Sequence, residues 1–127
     1  MGTRAIYTFK DGTDTFHVYK HWDNYPSGAA GFIEAALGYA FELPRFEADE
    51  FACAFIAANK KKDGMGGDLR LSLTNEGGWL DYRYEIYMSD GKLFVAAYNL
   101  FTESQEKLIF VGPLEEFKTF EEKGDSE

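Results

Sequence analysis

The stretch YKHWDNYPSG, residues 19 to 28, gathers the side chains of this chain best suited to chemistry. His21 followed by Asp23 offers an imidazole and a carboxylate able to fix its tautomer, the general-base arrangement of a small hydrolase. Such a base needs a nucleophile, and no serine or cysteine is marked for that role by the local sequence. His17 and His21 have the spacing of two zinc ligands on one helical turn, yet TFHVYKH has the texture of a strand. Four residues of strand span about 13 Å, whereas ligands of one zinc lie within about 4 Å of each other. That pair alone holds no metal, and neither a metal nor a cofactor is expected.

Two readings of the stretch remain. Asp23 and Asn24 favour turns, Pro26 directs the chain into a helix, and Trp22 and Tyr25 can pack over the junction, which makes a structural corner. Exposed Trp, Tyr and His also anchor protein interfaces, so His21, Trp22, Asp23 and Tyr25 form the candidate contact surface.

Other motifs point to chemistry less well. KKKDGMGGD sets lysines beside glycines, but a phosphate loop runs from a strand into a helix, and this segment leaves a helix for a strand. Tyr82, Tyr84 and Tyr98 could line a small-ligand cavity or a base-stacking sheet. A stacking sheet for nucleic acid needs positive charge, and 13 basic against 22 acidic residues give a net of −9. That balance disfavours direct contact with nucleic acid or anionic membranes and suits a basic protein surface. Cys53 is the one cysteine, and its apolar neighbours in EFACAFIAAN suggest buried packing. The longest apolar run falls far short of the about 20 residues a membrane helix takes. No charged-then-apolar leader is read at the start, so the cytoplasm is expected.

The positioning elements follow from period. RAIYTFK and TFHVYKHW read as strands around the Asp11-Gly12 turn. SGAAGFIEAALGYAFELP carries a helical stripe from a Ser27 cap to a stop at Pro44. A second helix reads from Glu47 to Asn59, with Phe51, Ala52, Phe55 and Ile56 inward, and Gly31 and Gly38 would let the helices approach closely. DLRLSLT alternates Leu69, Leu71 and Leu73 as a half-buried strand. WLDYRYEIYM and KLFVAAYNLF flank Asp90-Gly91, KLIFVG is a last strand, and PLEEFKTFEEK a short helix opened by Pro113. The expectation is one α+β domain over residues 1–127. A mostly antiparallel sheet of about six strands carries two central helices on one face and a short C-terminal helix, with residues 121–127 frayed.

HVYKHWDNYPSGAAGFIEAAL resembles a group of small, largely uncharacterised proteins of bacterial phages and prophages. Their strand ends in a His-Trp-Asp-Gly-Tyr-Pro-like corner before a helix, matched here by His21, Trp22, Asp23, Tyr25 and Pro26. Asn24 stands where that pattern has Gly, and Asn is the next best residue for a left-handed turn. FEADEFACAFIAANK is similar to the group's second helix, so the resemblance covers about half of the chain. It implies a phage-related accessory protein, and with the missing catalytic set it points to a non-enzymatic protein-binding module. Its partner would be a host or phage protein, and self-association into a small homo-oligomer is compatible with it.

Overall fold

The computed structural model describes residues 3–61, 68–77, 79–100 and 106–122. The chain runs β1 (Ala5–Lys10), β2 (Thr15–Lys20), α1 (Pro26–Leu37), α2 (Ala48–Asn59), β3 (Leu69–Ser72), β4 (Tyr82–Ser89), β5 (Lys92–Asn99), β6 (Lys107–Pro113) and α3 (Leu114–Phe117). Six strands form one sheet in the order β3-β2-β1-β4-β5-β6. Every neighbouring pair is antiparallel except β1 and β4, which are parallel. That exception follows from connectivity, because the chain crosses over through α1, α2 and β3 before returning beside β1. The fold is the expected α+β domain.

Turn chemistry sets both hairpins. Asp90 and Gly91 form a two-residue loop between Ser89 and Lys92, both at positive φ, 53° and 76°. Such turns match the twist of the flanking strands. In the first hairpin Gly12 takes a φ of 90°, while Asp11 Oδ1 accepts the amides of Thr13 (2.9 Å) and Asp14 (2.8 Å). Asp11 Oδ2 accepts the Ala48 amide at 2.9 Å, so the hairpin also satisfies the N-terminus of α2. These bonds hold the Asp11 carboxyl below its usual range, the Ala48 amide contributing most.

Alternation divides the sheet into two faces. Tyr7, Phe9, Val18, Tyr84, Ile86 and Val95 face the helices and are fully buried. Tyr7 packs on Phe55 and Tyr84, and Phe9 on Phe51 and Phe55, at centroid separations of 4.6 to 5.8 Å. Phe117 of α3 closes the other end against Tyr84 and Phe110.

Several expectations change. Helix α1 ends at Leu37, where the Gly38 amide turns back to the Ala35 carbonyl, so Ala40 and Phe41 lie outside it. Its cap position is Tyr25 with Pro26 in the first turn, and Ser27 is inside the helix. Gly31 and Gly38 mark no close approach: a Cβ would meet nothing within 4 Å at Gly31 and only the Ala35 carbonyl, at 3.6 Å, at Gly38. Pro113 ends β6 and caps α3 from outside. Glu122 is not frayed, since its carboxylate accepts the Tyr82 hydroxyl and the Asn99 amide, both at 2.6 Å. Residues 123–127 lie outside the described residues, as does most of KKKDGMGGD.

In β3 only Leu69 is buried, whereas Leu71 and Leu73 are 80% and 102% exposed. The alternation does place Leu71 on the helix face, opposite Val18. Because β3 is the sheet edge, α2 packs over β2 and β1 and leaves Leu71 uncovered.

Candidate functional site

At the end of β2 the corner is built around Asn24, which is wholly buried. Its Oδ1 accepts the Tyr7 hydroxyl at 2.6 Å, and its Nδ2 donates to the Thr3 and Lys20 carbonyls, both at 2.8 Å. Its own carbonyl accepts the Tyr84 hydroxyl at 2.6 Å. Four groups from three strands and the N-terminal arm therefore meet at one residue, three of them at its side chain. The left-handed residue is Asp23 (φ 64°), one position before the expected Asn24. Gly28 faces this turn so closely that a Cβ there would lie 2.2 Å from the Asp23 carbonyl oxygen. A side chain at that position would clash with backbone, which explains the glycine in the first turn of α1.

Lys20, the last residue of β2, falls on the helix face and is wholly buried. Nζ donates to the Trp22 carbonyl at 2.7 Å and sits 3.7 Å from the centroid of the Phe32 ring. Burial lowers its pKa from 10.5 to about 8, against the opposing pull of Asp23. The sequence carried a signal for this residue, since Phe16, Val18 and Lys20 share one face of the strand. Lysine was not expected there because its charge is normally kept in water.

His21 belongs to the other face. Its Nδ1 shares a hydrogen bond of 2.6 Å with the Tyr19 hydroxyl. Burial raises the Tyr19 pKa, which keeps the phenol protonated in this contact. The nitrogen that a His21–Asp23 dyad would use is thus engaged by Tyr19. Asp23 is exposed at its left-handed turn. Tyr25, also exposed, lies with its ring beside Gly28 on the helix layer. Of the four candidates, His21 and Trp22 are brought together in edge contact at 4.6 Å.

They are joined by residues that sequence reasoning did not single out. The Tyr19 ring lies 6.0 Å from His21 and 5.1 Å from Trp79, the latter edge-on. The path Trp22–His21–Tyr19–Trp79 is a continuous row of rings that runs from the corner onto the sheet face that carries no helix among the described residues. Gly77 seats the last of them, because a Cβ there would be 2.9 Å from Trp79 Cε2. Tyr19, Arg70, Ser72 and Trp79 border a shallow cleft of about 280 Å³. Arg70 is paired with Asp68 at 3.1 Å, which raises the pKa of the guanidinium and lowers that of the carboxyl. Trp79 was missed because it lies far along the chain, between β3 and β4, and only the pairing of those strands with β2 and β1 brings it near Tyr19.

The rest of this face is a self-neutralised network. Arg83 pairs with Glu85 at 2.9 Å and with Glu106, and its guanidinium lies 4.1 Å over Tyr98. Lys10 also pairs with Glu85, and Thr8 shares a hydrogen bond with His17 at 2.9 Å. His17 has its pKa lowered by burial and stands apart from His21, each imidazole engaged by a different hydroxyl. Tyr82 and Tyr84 stack on the helix face while Tyr98 is on the opposite one, so the three do not line one cavity. Cys53 is exposed on α2, not packed in the core as its neighbours suggested. None of the described helices is long and apolar enough to cross a membrane. Compared with protein-family models, curated proteins and solved structures, the chain gives no match.

Proposed function

We propose that this chain is a non-enzymatic protein-binding module, an accessory protein of phage or prophage kind that acts in the bacterial cytoplasm on a host or phage protein. Its contact surface is the ring row Trp22–His21–Tyr19–Trp79 together with Arg70. One observation carries the reading: both tryptophans of the chain stand in a single row of touching rings that runs from the corner onto a sheet face uncovered among the described residues, with Trp79 half exposed. Trp, Tyr and Arg are the residue types that dominate binding energy at protein interfaces. Rigid rings lose little conformational freedom on binding, and Tyr19 is already held by His21. The neighbouring cations are matched by Glu85, Glu106 and Asp68, which leaves little free positive charge for a phosphate backbone.

Affinity capture from bacterial lysate tests the reading, with wild type beside a Trp22→Ala/Trp79→Ala variant whose unfolding midpoint is unchanged. A protein retained by wild type and lost from the variant supports the patch as the contact. Equal capture by both would end it.

A further inference from the structure

The exposed leucines of β3 lie away from the ring row and need a separate account. The His21 amide donates to the Asp68 carbonyl at 3.0 Å, and the β2–β3 register continues from that pair. Hydrogen-bonded pairs alternate along an antiparallel ladder, so Arg70 and Ser72 are bonded to β2 while Leu69 and Leu71 turn their backbone groups to the outer edge, where no strand pairs among the described residues. Lys60 Nζ reaches the Leu69 carbonyl at 3.3 Å, as that orientation requires. Above this edge runs an apolar groove of about 520 Å³, bordered by Phe16, Val18, Ala52, Ile56, Leu71 and Leu73.

We infer that the occupant of this groove is a second copy of the chain, joined by antiparallel β3–β3 pairing about a twofold axis at Leu71. The strand is self-complementary in that register. Leu71 meets its own copy and Arg70 meets Ser72, so no like charges are directly opposed, while Leu69 comes opposite Leu73, the residue just past the strand. The Leu71 pair has its backbone groups facing outward and can exchange both hydrogen bonds. The Leu69 carbonyl has a second lone pair and accepts a partner amide without losing Lys60. A twofold axis normal to the sheet keeps both α2 helices on the same side. Because α2 lies over β2 and β1, about four strand spacings, roughly 19 Å, would then separate them. The gap is floored by the two β3 strands, and Leu71 of each copy, on the helix face of its strand, projects into it.

The two edges of the sheet differ in a way that agrees with this assignment. The β6 edge has a register shift beside Tyr98, along with Lys107 and Pro113, devices that discourage pairing. Leu69–Leu73 has no proline, lysine or bulge. Two copies of net charge −9 repel, so pairing strengthens as salt screens them.

Sedimentation velocity from micromolar to about 0.5 mM protein, at about 0.05 and about 0.5 M NaCl, tests the inference on wild type, Leu71→Lys/Leu73→Lys and Leu108→Lys. Leu71 and Leu73 are exposed, so their replacement leaves the monomer fold intact. Wild type and the β6-edge variant Leu108→Lys should dimerise, more tightly in high salt, and the β3 variant should be weaker by at least about tenfold. Wild type that stays monomeric throughout overturns the inference. So does a dimer that survives in the β3 variant. Neither result bears on lysate capture through Trp22 and Trp79, so the ring-row reading is judged separately.

Discussion

Replacing Lys20 by Met should make this protein more stable near neutral pH. Lys20 is wholly buried, and among the described residues it forms no ion pair, only the bond to the Trp22 carbonyl and the contact with Phe32. Its pKa falls from 10.5 to about 8 on folding. At 1.36 kcal/mol per unit, carrying the charge costs the native state about 3 kcal/mol at pH 7. The sign follows from proton binding. Between about pH 8 and about pH 10.5 the unfolded chain holds more protons at this site than the folded one. Wild-type stability therefore rises through that window, by at most about 1.4 kcal/mol per pH unit, and this contribution is flat below it. Burial also raises the pKa of Tyr7 and Tyr84, which favours unfolding above pH 10, so the informative range is about pH 8 to 10. Met keeps the bulk but leaves the Trp22 carbonyl without its donor, a loss of about 1–3 kcal/mol. The net gain at pH 7 is then about 0–2 kcal/mol. Urea unfolding of both proteins at pH 7, 8, 9 and 10 measures it, and the variant's gain over wild type should shrink as pH rises. Parallel pH dependences, or a variant clearly less stable than wild type at pH 7, would refute the reasoning.

Three more outcomes follow from the corner and the first hairpin. Asn24→Ala should cost about 2–4 kcal/mol in urea unfolding, because it strands the buried Tyr7 hydroxyl and removes two further bonds to the Thr3 and Lys20 carbonyls, although the Thr3 carbonyl keeps the backbone amide of residue 24. Gly28→Ala should lower stability by about 1–3 kcal/mol, since its Cβ has only backbone to displace at Asp23; an unchanged midpoint would contradict the contact. Asp11→Ala should lower the melting temperature at pH 7 and remove part of the acid sensitivity. The wild-type carboxyl titrates below its unfolded value of 3.8, so its contribution is complete above that pH and is lost as pH falls through the depressed value. A variant with the wild-type acid transition would show that Asp11 does not hold α2.

Most of the architecture was legible because it rests on local rules. The Asp11-Gly12 and Asp90-Gly91 turns, the alternation of β4 and the stripe of α2 each announce themselves within a dozen residues. What the sequence did not disclose depends on distant neighbours. Alternation placed Leu71 on the inner face but not the point where the helix layer stops, so an exposed edge looked half buried. The same limit hid the burial of Lys20 and the exposure of Cys53. The corner was recognised as a corner, yet its central residue is Asn24, whose partners come from Thr3, Tyr7, Lys20 and Tyr84. Of the ring row, the local part at His21 and Trp22 was read directly. Trp79 joins it only through strand pairing that no short window contains.

The central claim is that the ring row meets another protein, and site-specific photo-crosslinking in bacterial lysate tests it most directly. p-Benzoylphenylalanine would replace Trp79 in one preparation and Val111, exposed on β6, in another. The account predicts a protein adduct from position 79 that excess wild type competes away and the Trp22→Ala/Trp79→Ala variant does not. It also predicts no such adduct from position 111. An adduct formed equally from both positions, or from position 111 alone, would contradict the account.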